Sequence, residues 1–397
     1  MTPIATILAA AVTVFANYST GVAYRIPALT QTRDGELVAV ADYRFCASDI
    51  GWGPIDLHIS RSADLGKSWS APECFAPGDS TLAGNQWNYA YGDPSIIADR
   101  ESDEILVMSC GGHTPFFQAT AESPMHTVRH RSHDGGKTWP VHESVTRQIY
   151  SLFDGRPQGP VQSLFFTSGR MVQSKRIKQG SHYRIYCALP VRPGGIYVLF
   201  SDDFGQNWKI LGDKSRPAST TLDECKVEEL PDGSVAISIR KRGARGFNVF
   251  HYSDIPSGRG AWDDEVDAPA MNGVNDCNGG FAIMDARRPD GTPVRLMLQS
   301  ITFRRERYDV GIFFKEMPDR PLTAEDFKNG WRKGLQLEHG SSAYSCLLPL
   351  RDGSIAAFWE SDLKDDGFDL LYRRLDASEI TLGNYSPAAH NAQTTTK

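Results

Sequence analysis

Long hydrophobic runs are missing from this 397-residue sequence. Nothing approaches the roughly 20 consecutive apolar residues that a helical bilayer span requires, and the longest apolar stretch, inside Ile4 to Ala16, is too short. No membrane span is expected. An excess of positive charge is missing too. The 42 basic and 48 acidic side chains leave a net charge of −6, so no global positive field gathers nucleic acid or another polyanion. An acidic ligand must therefore be met by a local basic cluster. Cysteine is scarce and odd in number: Cys46, Cys74, Cys110, Cys187, Cys225, Cys277 and Cys346 include no CxxC pair and no histidine at zinc-finger spacing. That pattern predicts free core thiols, without a disulfide framework or a structural zinc. The N-terminal run lacks the Lys or Arg that opens an export signal, and Val12-Thr13-Val14-Phe15 reads as a strand. As written the chain is expected to be cytoplasmic, or exported if a signal has been removed.

What the sequence does have is turns. Its 36 glycines and 23 prolines sit among short β-branched and aromatic runs, the composition of an all-β chain. Turn signals between apolar strands fall at Asp34-Gly35, Ser102-Asp103-Glu104, Ser168-Gly169, Asp232-Gly233, Asp290-Gly291 and Asp352-Gly353, at intervals of 69, 65, 64, 58 and 62 residues. A second signal, SxDxGxxW, interleaves at Ser62 to Trp69, Ser132 to Trp139 and Ser201 to Trp208, with a degenerate copy from Tyr252-Ser253-Asp254 to Trp262. Its Ser and Asp oxygens can accept turn N–H groups, Gly supplies positive φ, and Trp returns to the core. Two hairpins per unit make four strands, the size of a propeller blade. The expected fold is all-β, a six-bladed β-propeller forming one domain over residues 1–397, with its core at about 12–380 and a short tail at 381–397. The boxes set turns and do no chemistry. A propeller gathers inner-strand ends around one axial pocket, so functional residues can come from the whole chain.

Residues equidistant from a hairpin turn oppose one another. Around Asp34-Gly35 this pairs Arg25 with Arg44, around Asp232-Gly233 Glu224 with Arg240, and around Asp352-Gly353 Tyr344 with Glu360. Singly, such residues are most often solvated rim groups. Arginines gathered in one pocket are costly without carboxylate partners, so their concurrence points to a site built for an anion, and Arg grips a planar carboxylate with two parallel bonds. A phenol beside a carboxylate adds chemistry, because Tyr344 becomes a nucleophile once Glu224 takes its proton. Where the reacting carbon itself bears a carboxylate, a neutral phenol avoids the repulsion that an anionic nucleophile meets.

These residues resemble the bacterial exo-sialidases of glycoside hydrolase family 33 over about Val12 to about Tyr372. The resemblance rests on Tyr24-Arg25-Ile26-Pro27, similar to the family's (F/Y)RIP motif, and on the three intact boxes. Added to these are Ala41-Asp42-Tyr43-Arg44 with Ala47-Ser48-Asp49, Gly92-Asp93-Pro94-Ser95, Glu224 to Arg240, Arg307-Tyr308-Asp309-Val310, and Ala343-Tyr344-Ser345 with Glu360. It implies that Arg25, Arg240 and Arg307 grip the carboxylate of a sialic acid, with Glu360 orienting Arg25. Asp49 would be the general acid/base, Tyr344 the nucleophile and Glu224 its base, giving a covalent sialyl-enzyme and net retention. Arg44 and Asp93 would lie near the sugar's 4-hydroxyl. Arg304 and Arg305 compete with Arg307 for the third position, and Arg307 is preferred because the strand Asp309-Val-Gly-Ile-Phe-Phe follows it as in the family.

The implied substrates are sialylated oligosaccharides, glycoproteins or glycolipids, with no cofactor, no metal and no required protein partner. Trp87, Phe116 and Phe117 are candidates for an apolar wall. His126, His130 and His133 lack a carboxylate at ligand spacing and are not expected to bind metal. Two other readings stand: a transferase, in which another sugar or the substrate's own hydroxyl intercepts the sialyl-enzyme, and a non-catalytic sialic-acid-binding propeller. The second predicts loss of Asp49, Tyr344 or Glu224, all of which are present.

Overall fold

A computed structural model describes residues 10–17, 22–46, 48–273, 277–362 and 367–388. The expected Ala47 and residues 389–397 of the expected tail lie outside these. Six sheets, antiparallel except for one short added strand, follow one another along the chain and are arranged in a ring. The first blade runs Ala23–Gln31, Leu37–Arg44, Ile55–Ser62 and Glu73–Ala76. The sixth runs Ser342–Pro349, Ile355–Ser361 and Asp369–Leu375, and its fourth strand is Val12–Phe15 from the other end of the chain, with Val12 opposite Tyr372. That pairing ties the two ends of the ring together. Among the described residues no helix is long and apolar enough to cross a membrane.

The apolar runs are explained by burial on both faces of each sheet. In the strand Leu37–Arg44, Leu37, Ala39 and Ala41 pack toward the sixth blade, while Val38 and Val40 pack toward the second. Period-two alternation therefore sends successive side chains into different interblade cores. The boxes close outer hairpins as their chemistry predicts: Ser62 Oγ accepts from Gly66 N at 2.8 Å, Asp64 Oδ1 from Ser68 N at 2.9 Å, and Trp69 Nε1 donates to the Gly66 carbonyl at 3.2 Å.

Three expectations need correction. Ser168-Gly169 is not a hairpin turn: Gly169–Arg170 runs parallel to Tyr91–Ala98 of the second blade. The third blade reverses at Gly180-Ser181, between Val172–Gln179 and His182–Arg192, where Lys175, Arg176 and Lys178 make the strand too polar to stand out. Residues 381–388 are not a loose tail, because Ser386–Pro387 pairs with Phe281–Arg287 and Tyr385 is buried in the core between the fifth and sixth blades. The seven cysteines are free, but Cys74 is exposed and Cys46 half-buried, so only five are core thiols.

Candidate active site

The inner strand of the first blade carries Arg25 beside a bulge. Ile26 has φ 61° and Pro27 has no N–H to give the ladder, so the register slips between Arg25 and Ala28. Arg25 therefore lies opposite Asp42 and Ala23 opposite Arg44, correcting the expected Arg25–Arg44 pair. The slip frees the Ile26 N–H, which donates to Glu360 Oε1 at 2.8 Å. Glu360, fully buried, also accepts from Arg25 Nε at 2.7 Å, Arg25 Nη2 at 3.1 Å and Tyr344 N at 3.0 Å. Burial pushes this carboxyl up, but the Arg25 charge and these bonds outweigh it and hold Glu360 below the ordinary Glu value.

The fourth blade brings Glu224 opposite Arg240, their backbones joined by Arg240 N to the Glu224 carbonyl at 2.9 Å. From the sixth blade, Tyr344 donates its hydroxyl to Glu224 Oε2 at 2.7 Å. Arg240 Nη1 reaches both that carboxylate oxygen, at 2.7 Å, and the phenol oxygen, at 3.0 Å. Asn278 Nδ2 holds the other Glu224 oxygen at 3.2 Å. Burial and the adjacent Glu224 charge push the Tyr344 phenol well above its usual range despite Arg240, so it rests protonated. The guanidinium carbons of Arg25, Arg240 and Arg307 lie 5.9, 5.9 and 5.5 Å from the Tyr344 ring centre. Three cations from three blades thus surround one phenol.

The three neighbouring arginines of the fifth blade part ways. Arg304 pairs with Asp309, and Arg305 Nε donates to the Gly273 carbonyl at 3.2 Å. Arg307 alone of them reaches Tyr344, on a turn where Glu306, Arg307 and Asp309 have φ of 63°, 61° and 61°. Such a left-handed run of non-glycine residues costs about 1 kcal/mol or more at each. The Arg307 carbonyl accepting from Ser342 N at 2.8 Å and Asp309 Oδ1 accepting from Gly340 N at 2.8 Å hold it in place.

A second cluster adjoins the first. Arg44, buried, donates to Asp42 Oδ2 from Nε at 3.0 Å and Nη2 at 2.8 Å, and Nη2 lies 3.4 Å from Asp49 and 4.0 Å from Asp93. Asp42 also accepts the Asp93 N–H at 3.0 Å, although it drew no role from the sequence. Asp49 is exposed on its loop, with its Oδ1 accepting from Ile50 N at 2.8 Å. One guanidinium faces three carboxylates, two of them buried. Burial pushes Asp42 up to about 7 even beside Arg44, and burial with the Asp49 and Asp42 charges pushes Asp93 well above the carboxylate range.

This has a consequence for stability. Asp42 binds its proton more tightly folded than unfolded, so its contribution to stability falls as pH rises from 3.8 to about 7. In urea titrations at pH 5 and pH 7, the wild type is expected to lose up to about 2 kcal/mol more over that interval than Asp42→Asn. Equal losses would show that Asp42 does not hold a proton there.

The candidate aromatics are not gathered into one wall. Trp87 packs between the first and second blades against Tyr91. Phe116 packs on Phe165, with Phe117 exposed beside it. Their loop meets the Asp49 loop at Gly51, where a Cβ would lie 2.2 Å from the Pro115 ring. The histidines also separate: His126 bonds Thr146 and Asn85, His130 bonds Ser109 and His142, and His133 Nδ1 lies 3.3 Å from Glu104, which is distant in sequence.

No family model matches the chain. In sequence it is similar to a sialidase of Micromonospora viridifaciens, 26% identical over 349 residues, covering 85% of this chain and 50% of that protein. It is 27% identical over 235 residues to a sialidase of Bacteroides fragilis, covering 55% of this chain and 39% of that protein. The chain thus spans half or less of the length of these relatives. In fold it is similar to an intramolecular trans-sialidase of Ruminococcus gnavus solved with oseltamivir carboxylate, with a TM-score of 0.69, 16% identity, and 94% and 98% of the two chains covered. The fold is that of the sialidases, a six-bladed propeller.

Proposed function

We propose that this chain is an exo-sialidase that hydrolyses terminal α-linked sialic acids from glycoconjugates with retention, through a sialyl-tyrosine. The observation that carries the reading is the convergence of Arg25, Arg240 and Arg307 on Tyr344 while its hydroxyl donates to Glu224. Three guanidiniums suit an anionic carboxylate placed at the reacting carbon, and a phenol bonded to a carboxylate suits attack on that same carbon. The sialidase relatives support the substrate class.

Each proton has a place to go. As the Tyr344 oxygen bonds the anomeric carbon, its proton passes to Glu224 and the glycosidic bond breaks, with Asp49 protonating the departing oxygen. Asp49 then takes a proton from water, the water oxygen bonds the same carbon, and Tyr344 leaves, recovering its proton from Glu224. Two inversions give net retention. The exposure of Asp49 suits a group that must meet both a leaving alcohol and solvent.

Arg25→Ala is expected to weaken binding of a sialic-acid analogue by roughly ten- to a hundredfold, the ~1.5–3 kcal/mol of a charge-assisted bond. It should also destabilise the fold by ~3 kcal/mol, because Glu360 is left buried and charged. Calorimetry and urea denaturation read the two effects, and unchanged affinity would remove Arg25 from the carboxylate grip.

The reaction itself is tested by NMR of the first product released from sialyllactose. Initial α-anomer supports the retaining hydrolase, and initial β-anomer rejects it. A 2,7-anhydro sugar assigns the chain to intramolecular transfer, the activity for which the R. gnavus protein is named. Binding without turnover leaves a sialic-acid-binding propeller.

A further inference from the structure

The outer half of the first blade carries a second constellation, away from the arginines and Tyr344. Asp56 and His58 are two apart on Ile55–Ser62, so alternation puts both on one face, while Leu57 and Ile59 turn into the core. In the neighbouring edge strand Glu73–Ala76 the ladder shifts by one residue, and this shift sets Cys74 opposite His58. One donor atom from each of Asp56, His58 and Cys74 falls within 4.8 Å of the others. The Cys74 Sγ to Asp56 Oδ2 distance is 3.7 Å, close to the roughly 3.5 Å edge of a tetrahedron with zinc–sulfur and zinc–oxygen bonds of ordinary length.

We propose that Asp56, His58 and Cys74 form a three-ligand site for a divalent transition metal of the zinc class. The surroundings are those of a prepared site. The other Asp56 oxygen accepts from Gly78 N at 2.8 Å. The His58 ring is stacked on Tyr43 at 4.4 Å and held through Nδ1 by the Tyr24 hydroxyl at 2.9 Å, which leaves Nε2 for a ligand, as in metal-bound histidines fixed through their second nitrogen. On binding a dication the Cys74 thiol releases its proton to solvent, and thiolate plus carboxylate balance the ion's two charges. A thiolate with one imidazole and one carboxylate favours zinc or cobalt over magnesium or calcium. The exposure of Cys74 leaves the fourth position to water. The ion would clip the four-residue edge strand Glu73–Ala76 to the blade.

The test is a titration of the purified, reduced, metal-stripped chain with Co2+, followed by competition with Zn2+. One equivalent of Co2+ should give a near-ultraviolet thiolate-to-cobalt charge-transfer band that Zn2+ abolishes. Cys74→Ser should lose the band, Asp56→Asn should weaken binding at least tenfold, and Cys46→Ser should change neither. Hydrogen exchange in residues 73–76 should slow on Zn2+ addition in wild type and not in Cys74→Ser. The proposal is overturned by absence of the band in the wild type, by its survival in Cys74→Ser, or by Asp56→Asn binding Co2+ as wild type does. Cys74 is exposed, so its serine variant is expected to fold, and circular dichroism checks that it has.

Discussion

Tyr344→Phe is expected to abolish sialyllactose turnover by at least about a thousandfold, a loss of the size seen when a covalent nucleophile is removed, while leaving affinity for a sialic-acid analogue within a few-fold of wild type. The split follows from what the phenol touches. Its hydroxyl donates to Glu224 and receives a bond from Arg240, but Arg25 is held by Glu360 and does not depend on it. The ring that the three guanidiniums surround is retained in Phe, so the anion grip survives and the bond-forming atom does not. Glu224, released from the phenol, keeps Arg240 and Asn278 as partners, and the variant should fold. Steady-state kinetics beside calorimetric binding read both halves. Equal loss of binding and turnover would make Tyr344 a structural residue.

Asp49→Ala carries the second large effect, and its signature is selectivity among leaving groups. General acid catalysis contributes typically 10²–10⁴-fold. Sialyllactose, whose departing alkoxide needs a proton, should slow by about that factor in its first step, whereas an aryl sialoside with an acidic phenol should slow far less there. Deglycosylation, in which Asp49 acts as base, should then limit the aryl substrate, and a burst of phenol before steady state should appear in the variant. Added azide, which needs no deprotonation, should relieve that second step. Equal slowing of both substrates, without a burst, would remove Asp49 from proton transfer.

How far the sequence reached can be read at particular residues. Aspartate-glycine turns mark four of the six blades, and Ser102-Asp103-Glu104 a fifth, because their flanking strands are apolar on both faces. The third blade was misplaced because its first strand, Val172–Gln179, shows its lysines and arginine to solvent. Counting back from a turn found the Glu224–Arg240 pair because no bulge intervenes between it and the Asp232-Gly233 turn. At Arg25 the count missed by two positions, one at the turn, where Gln31 already faces Leu37, and one at the bulge of Ile26-Pro27, although Pro27, which cannot complete the ladder, was a visible signal. Asp42 stands two residues from Arg44 in the sequence, but nothing local marks its role. Its role depends on the fold of the second blade, which brings the Asp93 N–H to it. Contacts between blades, such as Glu224 with Tyr344 and Asn278, depend on ring closure and have no local signature. The Asp56, His58 and Cys74 face was hidden for the same reason as Arg25, a one-residue shift between neighbouring strands.

The most direct test of the central claim is to trap the intermediate. In 2,3-difluorosialic acid, the fluoride on the anomeric carbon leaves readily, while the neighbouring fluorine draws electron density from that carbon and slows both steps, so a covalent adduct accumulates. Intact-protein mass spectrometry is expected to show the addition of one fluorosialosyl group, and peptide mapping to place it on Tyr344, with no adduct in Tyr344→Phe. An adduct on Glu224 or Asp49, or none from a chain that turns over sialyllactose, would contradict a sialyl-tyrosine route.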